Sequence, residues 1–349
     1  MTPSPPTTDM LVGSKGRGVR AIAAGRIIIA ALLAGLAGAS TAQQSSPYRA
    51  PQHTRPPPVI GNGTDDLIAY ANGGMQVERD RAPDDMLAEH RRIARAIGGL
   101  LPQRKGVVDA YVVSIALDSD PVFGREAREA AKVLARRYDA AGRTVVLAGS
   151  DGSAPSDLPR GSPDHLSIAL SRIAELMDAR EDVLILYTTS HGAPIGIVYN
   201  DADQGFGAIS PPRLAAMLGA LGIERRLVIV SACYSGIFVP ALAGAETAVL
   251  TASSGDRSSF GCQSDNDWTF YGDALINNAL RKGQPLAAAS AEATALVAKW
   301  ENADRLPPSQ PQTSIGARAS EWLAELDKRT PKGATTPVGR PAIELLQRR

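Results

Sequence analysis

The sequence predicts an α/β fold in which helices cover both faces of a mostly parallel sheet. Five short apolar runs, rich in β-branched residues, alternate with stretches whose apolar residues recur at helical spacing. Each run is continuously apolar, which is typical of strands that are buried on both faces of a parallel sheet. The five predicted strands cover residues 107–117, 144–148, 183–188, 227–231 and 246–252.

Helix start and stop signals lie between these runs. Ser162 and Ser210 each precede a proline, and a capping serine followed by a first-turn proline indicates a helix start. Gly142 and Gly222 follow the apolar residues of two helices and indicate their ends. In a sheet of this kind, binding and catalysis concentrate at the carboxyl ends of the strands.

Composition and charge exclude several classes of function. The 349 residues carry 37 basic and 36 acidic side chains, a net charge of +1, which suits neither a nucleic-acid backbone nor an anionic membrane surface. The two cysteines do not make a disulfide scaffold, and metal-binding C-x-x-C spacing is absent. We therefore expect no nucleic-acid partner and no metal site of the C-x-x-C type.

The N-terminal region predicts export. Residues 1–42 read as a signal peptide, because a basic flank precedes an apolar run of about 13 residues, whereas a membrane span needs about 20. Cleavage after Ala42 would leave no stable membrane span, and the protein would be periplasmic or secreted. An uncleaved N-terminal anchor is the alternative. The remaining regions are predicted as a disordered Pro/Gln-rich linker at 43–82, a helix at 83–104, the main domain at 105–328 and a flexible tail at 329–349.

Two neighbouring strand ends carry scarce reactive residues. The third predicted strand leads into His191 and Gly192, and the fourth leads into Cys233. A thiol beside an imidazole forms a nucleophile–base pair, and the backbone N–H groups of Gly192 and Cys233 would form an oxyanion hole. The alternative is structural, because a strand-end cysteine is often a small buried side chain and a histidine beside a glycine is often a turn residue.

These motifs resemble those of the legumain-like cysteine peptidases, peptidase family C13 of the caspase-related clan. The resemblance rests on Ser-His-Gly after one strand, Ser-Ala-Cys-Tyr-Ser-Gly after the next, and two later stretches, and it spans about two-thirds of the chain. The segments that carry it are 190–192, 231–236, 251–262 and 271–273.

The resemblance implies a caspase-like three-layer sandwich and cleavage of peptide bonds through an acyl-enzyme, without a metal or an organic cofactor. It assigns the nucleophile to Cys233, the general base to His191 and the oxyanion glycine to Gly192. It also implies that a pocket for the residue before the cut is lined by the side chains of Arg125, Ser258 and Asp273. Solvated or structural roles are the alternative for these three.

The chain departs from the plant and animal legumains at two points. Tyr234 follows the cysteine where those enzymes carry an acidic residue, and Phe123-Gly124 stand where they carry an asparagine before the pocket arginine. These departures put asparagine specificity in doubt.

The sequence analysis thus predicts an exported cysteine endopeptidase that acts on a peptide or protein substrate. Two alternatives remain open: a transamidase or peptide ligase with the same chemistry, and a non-catalytic envelope protein that uses the scaffold for binding.

Two further features of the sequence have both a structural and a functional interpretation. Asp118 and Asp120 indicate a polar turn rather than a metal or acid pair, and Cys262 is expected to be buried rather than paired with Cys233. The oligomeric state is not predicted.

Overall fold

The elements of the fold are known for most of the chain beyond the predicted signal peptide. The structure is a computed structural model that describes residues 63–151 and 153–344. A short 3₁₀ turn at Ser235–Ile237 precedes the helix at Phe238–Leu242, and a π-helical segment, Asp273–Ala279, continues the helix at Phe270–Gly272. In chain order the helices and strands are α1 (Thr64–Gly73), β1 (Gln76–Glu78), α2 (Pro83–Gly98), β2 (Ala110–Ala116), α3 (Pro121–Arg137), β3 (Thr144–Leu147), α4 (Pro163–Leu176), β4 (Val183–Thr189), β5 (Gly192–Ala193), β6 (Gly196–Asp201), β7 (Gly205–Ile209), α5 (Pro211–Ala220), β8 (Arg226–Ser231), α6 (Phe238–Leu242), β9 (Thr247–Thr251), α7 (Phe270–Gly272), α8 (Leu286–Ala303), β10 (Gln312–Ile315) and α9 (Ala317–Asp327).

A six-stranded sheet forms the middle layer of the domain. Its strand order is β10-β9-β8-β4-β2-β3, and all neighbouring pairs are parallel except the β10–β9 pair at one edge. Every residue of β2, β4 and β9 is buried, as the continuous apolar runs predict. The five predicted strands are therefore confirmed, and β10 is an addition that the sequence analysis missed.

Helices cover both faces of this sheet. Ile185 belongs to the core on one face, together with residues of α3, α8 and α9, whereas Leu186 belongs to the core on the other face, with residues of α2, α4, α5 and α6. This alternation follows from the two-residue period of a strand. The three-layer α/β architecture predicted from the sequence is confirmed. The predicted caps are also present, since the hydroxyls of Ser162 and Ser210 accept N–H bonds from His165 and Arg213.

A second, antiparallel sheet lies beside the third parallel strand, β4. Its strand order is β1-β7-β6-β5, and its edge strand β5 begins directly after His191. Ala202 and Asp203 form the turn between β6 and β7 with positive φ angles of 48° and 58°. This sheet fixes the chain that leaves the His191 strand end, which places it next to the candidate site.

Part of the segment that the sequence analysis assigns to a disordered linker has regular structure. Residues 63–82 contain α1 and β1, and β1 pairs with β7 through the register Gln76↔Gly207. The pairing satisfies an otherwise open sheet edge, which explains why this polar stretch is extended there. The predicted helix at 83–104 is α2, which ends at Gly98. The signal peptide at 1–42 and the rest of the predicted linker up to residue 62 lie outside the described residues.

The predicted flexible tail also makes defined contacts in its described part, 329–344. Val338 O accepts a hydrogen bond of 2.8 Å from the Trp268 indole, and Ala342 N donates one of 2.8 Å to the Asp273 carboxylate. The Ala342 side chain is buried in the core beside α3 and α8. These contacts tie the segment to the domain, so residues 329–344 are a packed strap rather than a loose tail. Within the described ranges, no helix has both the length and the apolar character that a membrane crossing requires.

Candidate active site

The ends of β4 and β8 lie side by side and bring His191 and Cys233 to one rim of the sheet. The two strands are parallel neighbours with Thr189 opposite Ser231, and Ser190 N donates to Ser231 O at 3.3 Å. Both reactive residues therefore lie two positions beyond a paired strand residue. The sequence prediction that one crossover places them on the same rim is confirmed by this register.

The chain turns sharply after the cysteine. Tyr234 adopts a left-handed conformation with φ 58°, which is uncommon for a non-glycine residue, and its N–H donates to Arg257 O at 2.7 Å. Ser235 and Ser253 then bind each other through both backbone N–H groups and hydroxyls. These bonds fix the turn, so Cys233 is held at the tip of a strand-to-helix connection.

Gly192 lies in close contact with the cysteine backbone. A Cβ atom at this position would lie 2.0 Å from Cys233 O and 3.0 Å from Cys233 N. Only glycine fits, since real Cβ atoms do not approach that closely. The sequence analysis assigns this glycine to an oxyanion hole, and the structure shows that the close approach of the two strand ends also requires a glycine here.

The Cys233 thiol is surrounded by the main chain of the loop after β9. Ser259 N donates to Sγ at 3.3 Å, and Ser259 O and Oγ each lie 3.6 Å from Sγ. The backbone N–H and the carbonyl of one residue thus both face the sulfur and fix its position. The half-buried thiol is thus both accessible and oriented.

The His191 imidazole has a carboxylate on one side and an aromatic ring on the other. Nε2 lies 3.4 Å from Asp120 Oδ2, and the Phe123 ring packs edge-on with its centroid 5.0 Å from that of His191. Asp120 is itself held by Ser264 Oγ, which donates to Oδ1 at 2.9 Å. With Nε2 directed at a carboxylate, Nδ1 is the ring nitrogen left for a proton from the thiol.

The segment that contains both strand ends matches a known family. Residues 164–305 match the profile of the Peptidase C13 family, and this range includes His191 and Cys233. Over this segment the legumain-like resemblance is confirmed, and the match supports a cysteine-peptidase type of function.

Comparison with solved structures gives a distant likeness. The crystal structure of caspase-1 from Spodoptera frugiperda is 13% identical in sequence, and the match covers 62% of this chain and 93% of that chain with a TM-score of 0.41. No curated protein matches the chain significantly.

Arg125 lies on the first turns of α3, against a loop at 264–267. Its Nη2 donates to Ser264 O and Asn266 O, both at 2.5 Å, and its Nε lies 3.9 Å from Asp267 Oδ1 without a hydrogen-bond partner. About a third of the side chain is exposed. The Nε atom is itself buried, so only the exposed part of the side chain is open to a ligand, beside an acidic side chain.

The other two predicted pocket residues, Ser258 and Asp273, differ in their exposure. Ser258 is exposed and adjoins Ser259, so it stays near the Cys233 thiol. Asp273 is buried instead, because its carboxylate accepts bonds from Asn277, Asn278 and the Ala342 N–H. Burial raises the pKa of Asp273 despite these bonds. Asp273 is therefore a structural acid in the core and does not offer its carboxylate to a substrate.

Asp120 and Asp267 take up positions that the sequence analysis did not assign. Asp120 follows the first parallel strand, which is a signal for a site residue, but the sequence analysis interpreted it as part of a polar turn. Asp267 meets Arg125 only through the fold, since the two are far apart in the chain. Hydrogen bonds from Arg340 hold the pKa of Asp267 below its ordinary value, so this carboxylate is charged.

The residues Asp118, Asp120 and His191 form a cluster of possible metal ligands. One ligand atom from each lies within 4.8 Å of the others. Asp118 is engaged, however, because its Oδ1 accepts the Asp120 N–H at 2.8 Å, and burial raises the pKa of Asp118. This bond between residues two positions apart stabilises a turn, so the Asp118 carboxylate has a structural role. The sequence analysis favours the same interpretation.

Cys262 is a free thiol that packs beside Val122 and Phe123. Burial, with a further contribution from the nearby Cys233, raises the pKa of Cys262 to about 11. A thiol of this kind is protonated at neutral pH and is a poor nucleophile. Cys262 is half-buried rather than fully buried, and it is not paired with Cys233.

A cleft of about 450 Å³ opens beside Asp118, and His191 is not among the residues that line it. Asp118 belongs both to the wall of this cleft and to the group around His191, and Asn200 and Gly149 line it as well. Its size is within the range of pockets that bind side chains or small molecules. The rim thus offers space on the histidine side in addition to the Arg125 region.

Proposed function

We propose that the chain is an exported cysteine endopeptidase in which Cys233 is the nucleophile and His191 the general base. The observation that carries the proposal is the adjacency of the two strand ends, in which Gly192 lies against the Cys233 backbone and the thiol accepts the Ser259 N–H. This arrangement has the parts that acyl transfer needs: a nucleophile, a base and nearby backbone donors.

The proposed reaction begins with transfer of the Cys233 proton to His191. The thiolate then adds to the carbonyl carbon of the scissile bond, while the N–H groups of Gly192 and Cys233 stabilise the oxyanion. His191 returns the proton to the departing amine, which leaves a thioester. Water, deprotonated by His191, adds to the thioester and releases the acid and the free thiol.

Asp120 is proposed to orient the imidazole. Its Oδ2 faces Nε2, so it favours the tautomer and ring position in which Nδ1 faces the thiol, and it stabilises the imidazolium that forms. Because both side chains are about two-fifths exposed, the electrostatic contribution is weakened by solvent.

Arg125 is proposed to bind the side chain before the cut. A guanidinium side chain that is about a third exposed suits a carboxylate or amide oxygen. Asp267, which lies beside Arg125, supplies an acceptor for the N–H groups of an amide side chain. Ser258 lies on the exposed loop between this region and the thiol.

The test uses protein that begins at Gln43, incubated with a peptide library in the presence and absence of an amine acceptor. Hydrolysis products, lost in both Cys233→Ala and His191→Ala while the proteins stay folded, are the expected result. Cys233→Ser should also be nearly inactive, since a hydroxyl is far less ionised than a thiol.

Other results would contradict the proposal in distinct ways. Predominant amide exchange with the acceptor would identify a transferase that uses the same acyl-enzyme. Absence of turnover, together with no labelling of Cys233 by an electrophilic peptide, would identify a binding protein. Turnover in either alanine variant would exclude the dyad.

A further inference from the structure

Glu126 is a carboxylate that is completely buried in the described part of the protein. It lies on α3 directly after Arg125, and none of its surface is exposed. The ion pairs found among residues 63–151 and 153–344 include none with Glu126. A buried acid without a cation is costly unless hydrogen-bond donors surround it. The position therefore calls for an explanation.

Three donors are directed at this carboxylate. Oε1 accepts from the Tyr187 hydroxyl at 2.5 Å and from the Thr189 hydroxyl at 2.7 Å. Oε2 accepts from Thr269 N at 2.8 Å. Burial, with a further contribution from the neighbouring Glu126, raises the pKa of Tyr187 well above its ordinary value, so the phenol keeps the proton that it donates to Glu126.

These donors belong to the two strands of the candidate site. Tyr187 and Thr189 are on β4, and Thr189 is two residues before His191. The Thr269 hydroxyl in turn bonds the hydroxyl of Ser231, which is two residues before Cys233, at 3.1 Å. Glu126 thus connects the His191 strand directly and the Cys233 strand through one intermediate residue.

The same carboxylate also fixes the loop that faces Arg125. Thr269 closes that loop and caps the next helix, since its hydroxyl accepts the Gly272 N–H at 3.0 Å. A Cβ atom at Gly272 would lie 2.1 Å from Glu126 Oε2. The backbone at Gly272 therefore approaches the carboxylate as closely as only a glycine permits.

We infer that Glu126 is a positioning residue, which holds the strand ends of His191 and Cys233 and the Arg125 loop in one fixed arrangement through its bonds to Thr189 and Thr269. The inference rests on the proposed function, because it states how the proposed nucleophile and base are kept at their working separation. Small displacements of reacting groups lower rates strongly, so the loss of this link affects turnover more than substrate binding.

The test compares Glu126→Gln with the parent and with Glu129→Gln, all in a Cys262→Ala background. Glu129 lies on the same helix and binds Arg281 and Lys132 away from the site, so it controls for loss of a partly buried acid on α3. Folding is checked by thermal unfolding, and active sites are counted by titration with an electrophilic peptide. We expect Glu126→Gln to lower kcat per active site by about 10- to 100-fold with KM changed less than threefold, and Glu129→Gln to leave both near the parent values.

A second variant covers the case in which Glu126→Gln does not fold. Thr189→Val removes only one donor to the Glu126 carboxylate, and we expect it to lower kcat as well. Where Glu126→Gln does fold, the losses of kcat in the double variant should be less than additive. Unchanged kcat per active site in folded Glu126→Gln, or in Thr189→Val where the first does not fold, overturns the inference. Fully additive losses overturn it as well.

Alkylation of Cys233 by iodoacetamide supplies a readout that does not depend on peptide cleavage. Disruption of the arrangement is expected to slow the alkylation rate of Cys233 at neutral pH in Glu126→Gln relative to Glu129→Gln. A parent protein that cleaves no peptide contradicts the proposed function, whereas equal alkylation rates in the parent and Glu126→Gln contradict the role of Glu126. The two failures are therefore distinguishable.

Discussion

At the scale of single residues, Arg125 combines a structural and a recognition role. Its Nη2 binds the carbonyls of Ser264 and Asn266, while about a third of the side chain stays exposed. Arg125→Ala should therefore reduce turnover of all substrates somewhat and that of substrates with an acidic or amide side chain before the cut by a further factor. A charge-assisted hydrogen bond of about 1.5–3 kcal/mol corresponds to about 10- to 100-fold in kcat/KM. The measurement is kcat/KM over matched peptides with acidic, amide or apolar residues at that position.

A neighbouring arginine provides the control for this prediction. Arg128, also on α3, donates to the carbonyls of Gly124 and Gly149 and has no place in the proposed pocket. Arg128→Ala should lower turnover of all peptides by a similar factor, since it affects only the local loop. If Arg125→Ala gives the same uniform pattern, Arg125 is a structural residue.

The two thiols of the chain differ in their surroundings, and this difference predicts a pH dependence. Burial raises the pKa of Cys262 to about 11, so its thiolate fraction at pH 8 is about 0.1%. Cys233 accepts the Ser259 N–H and is expected to react first. Iodoacetamide at pH 7–8 should label native protein at Cys233 alone, as judged by peptide mass mapping.

The sign of the pH effect on Cys262 is fixed by its raised pKa. Its labelling rate should rise about tenfold per pH unit as long as the pH is below about 11, and denaturant should make it react like an ordinary thiol. Equal labelling of both cysteines in folded protein at pH 7 would contradict the burial of Cys262. A reductant-sensitive activity in the parent but not in Cys262→Ala would show that the two thiols pair.

At the scale of elements, the C-terminal strap, residues 329–344, supports the loop that faces Arg125. Val338 O accepts the Trp268 indole bond, Ala342 N donates to Asp273, and Arg340 binds Asp267. Removal of residues 329–349 leaves the buried Asp273 without its backbone donor and exposes the Trp268 side chain. A buried polar group that loses its partner costs about 1–3 kcal/mol.

The truncated chain should therefore unfold at a lower denaturant concentration and should show a raised KM for substrates that depend on Arg125. A chain that ends at Glu344 keeps every contact named above and is the control, and Arg340→Ala tests the ion pair alone. Because that pair is partly exposed, the single variant should change stability by less than about 1 kcal/mol. Truncation without effect on unfolding or KM would show that the strap does not support the loop.

The elements differ in how well the sequence predicts them. Strands β4 and β8 are predictable because they are uninterrupted apolar runs, and their order along the chain places His191 and Cys233 at one rim. The antiparallel sheet is not predictable in this way, since β5 has two residues and β7 contains two glycines, which leaves no two-residue period. The prediction that Asp273 lines the substrate pocket was wrong for a related reason. The sequence alone does not show that this carboxylate is buried, because its burial depends on Ala342 from a remote segment.

At the scale of the whole molecule, the segment before the predicted domain boundary at residue 105 is part of the fold. Ile93 and Leu100 belong to the core on one face of the sheet, and Glu89 Oε1 accepts the Arg160 N–H at 2.7 Å. Strand β1 also pairs with the edge of the antiparallel sheet that continues from His191. The N-terminal segment thus stabilises the support of the histidine.

A chain that begins at Lys105 should be strongly destabilised relative to one that begins at Gly63. Each buried aliphatic side chain contributes about 1.5–3 kcal/mol, so the loss of Ile93 and Leu100 alone is comparable to much of the 5–15 kcal/mol that stabilises a typical domain. The free energy of unfolding from urea denaturation measures the difference, and active-site titration measures the competent fraction. Equal denaturation midpoints for the two chains would show that the domain folds without this segment. A lower midpoint with unchanged turnover per titrated site would show that the segment stabilises the fold but does not position His191.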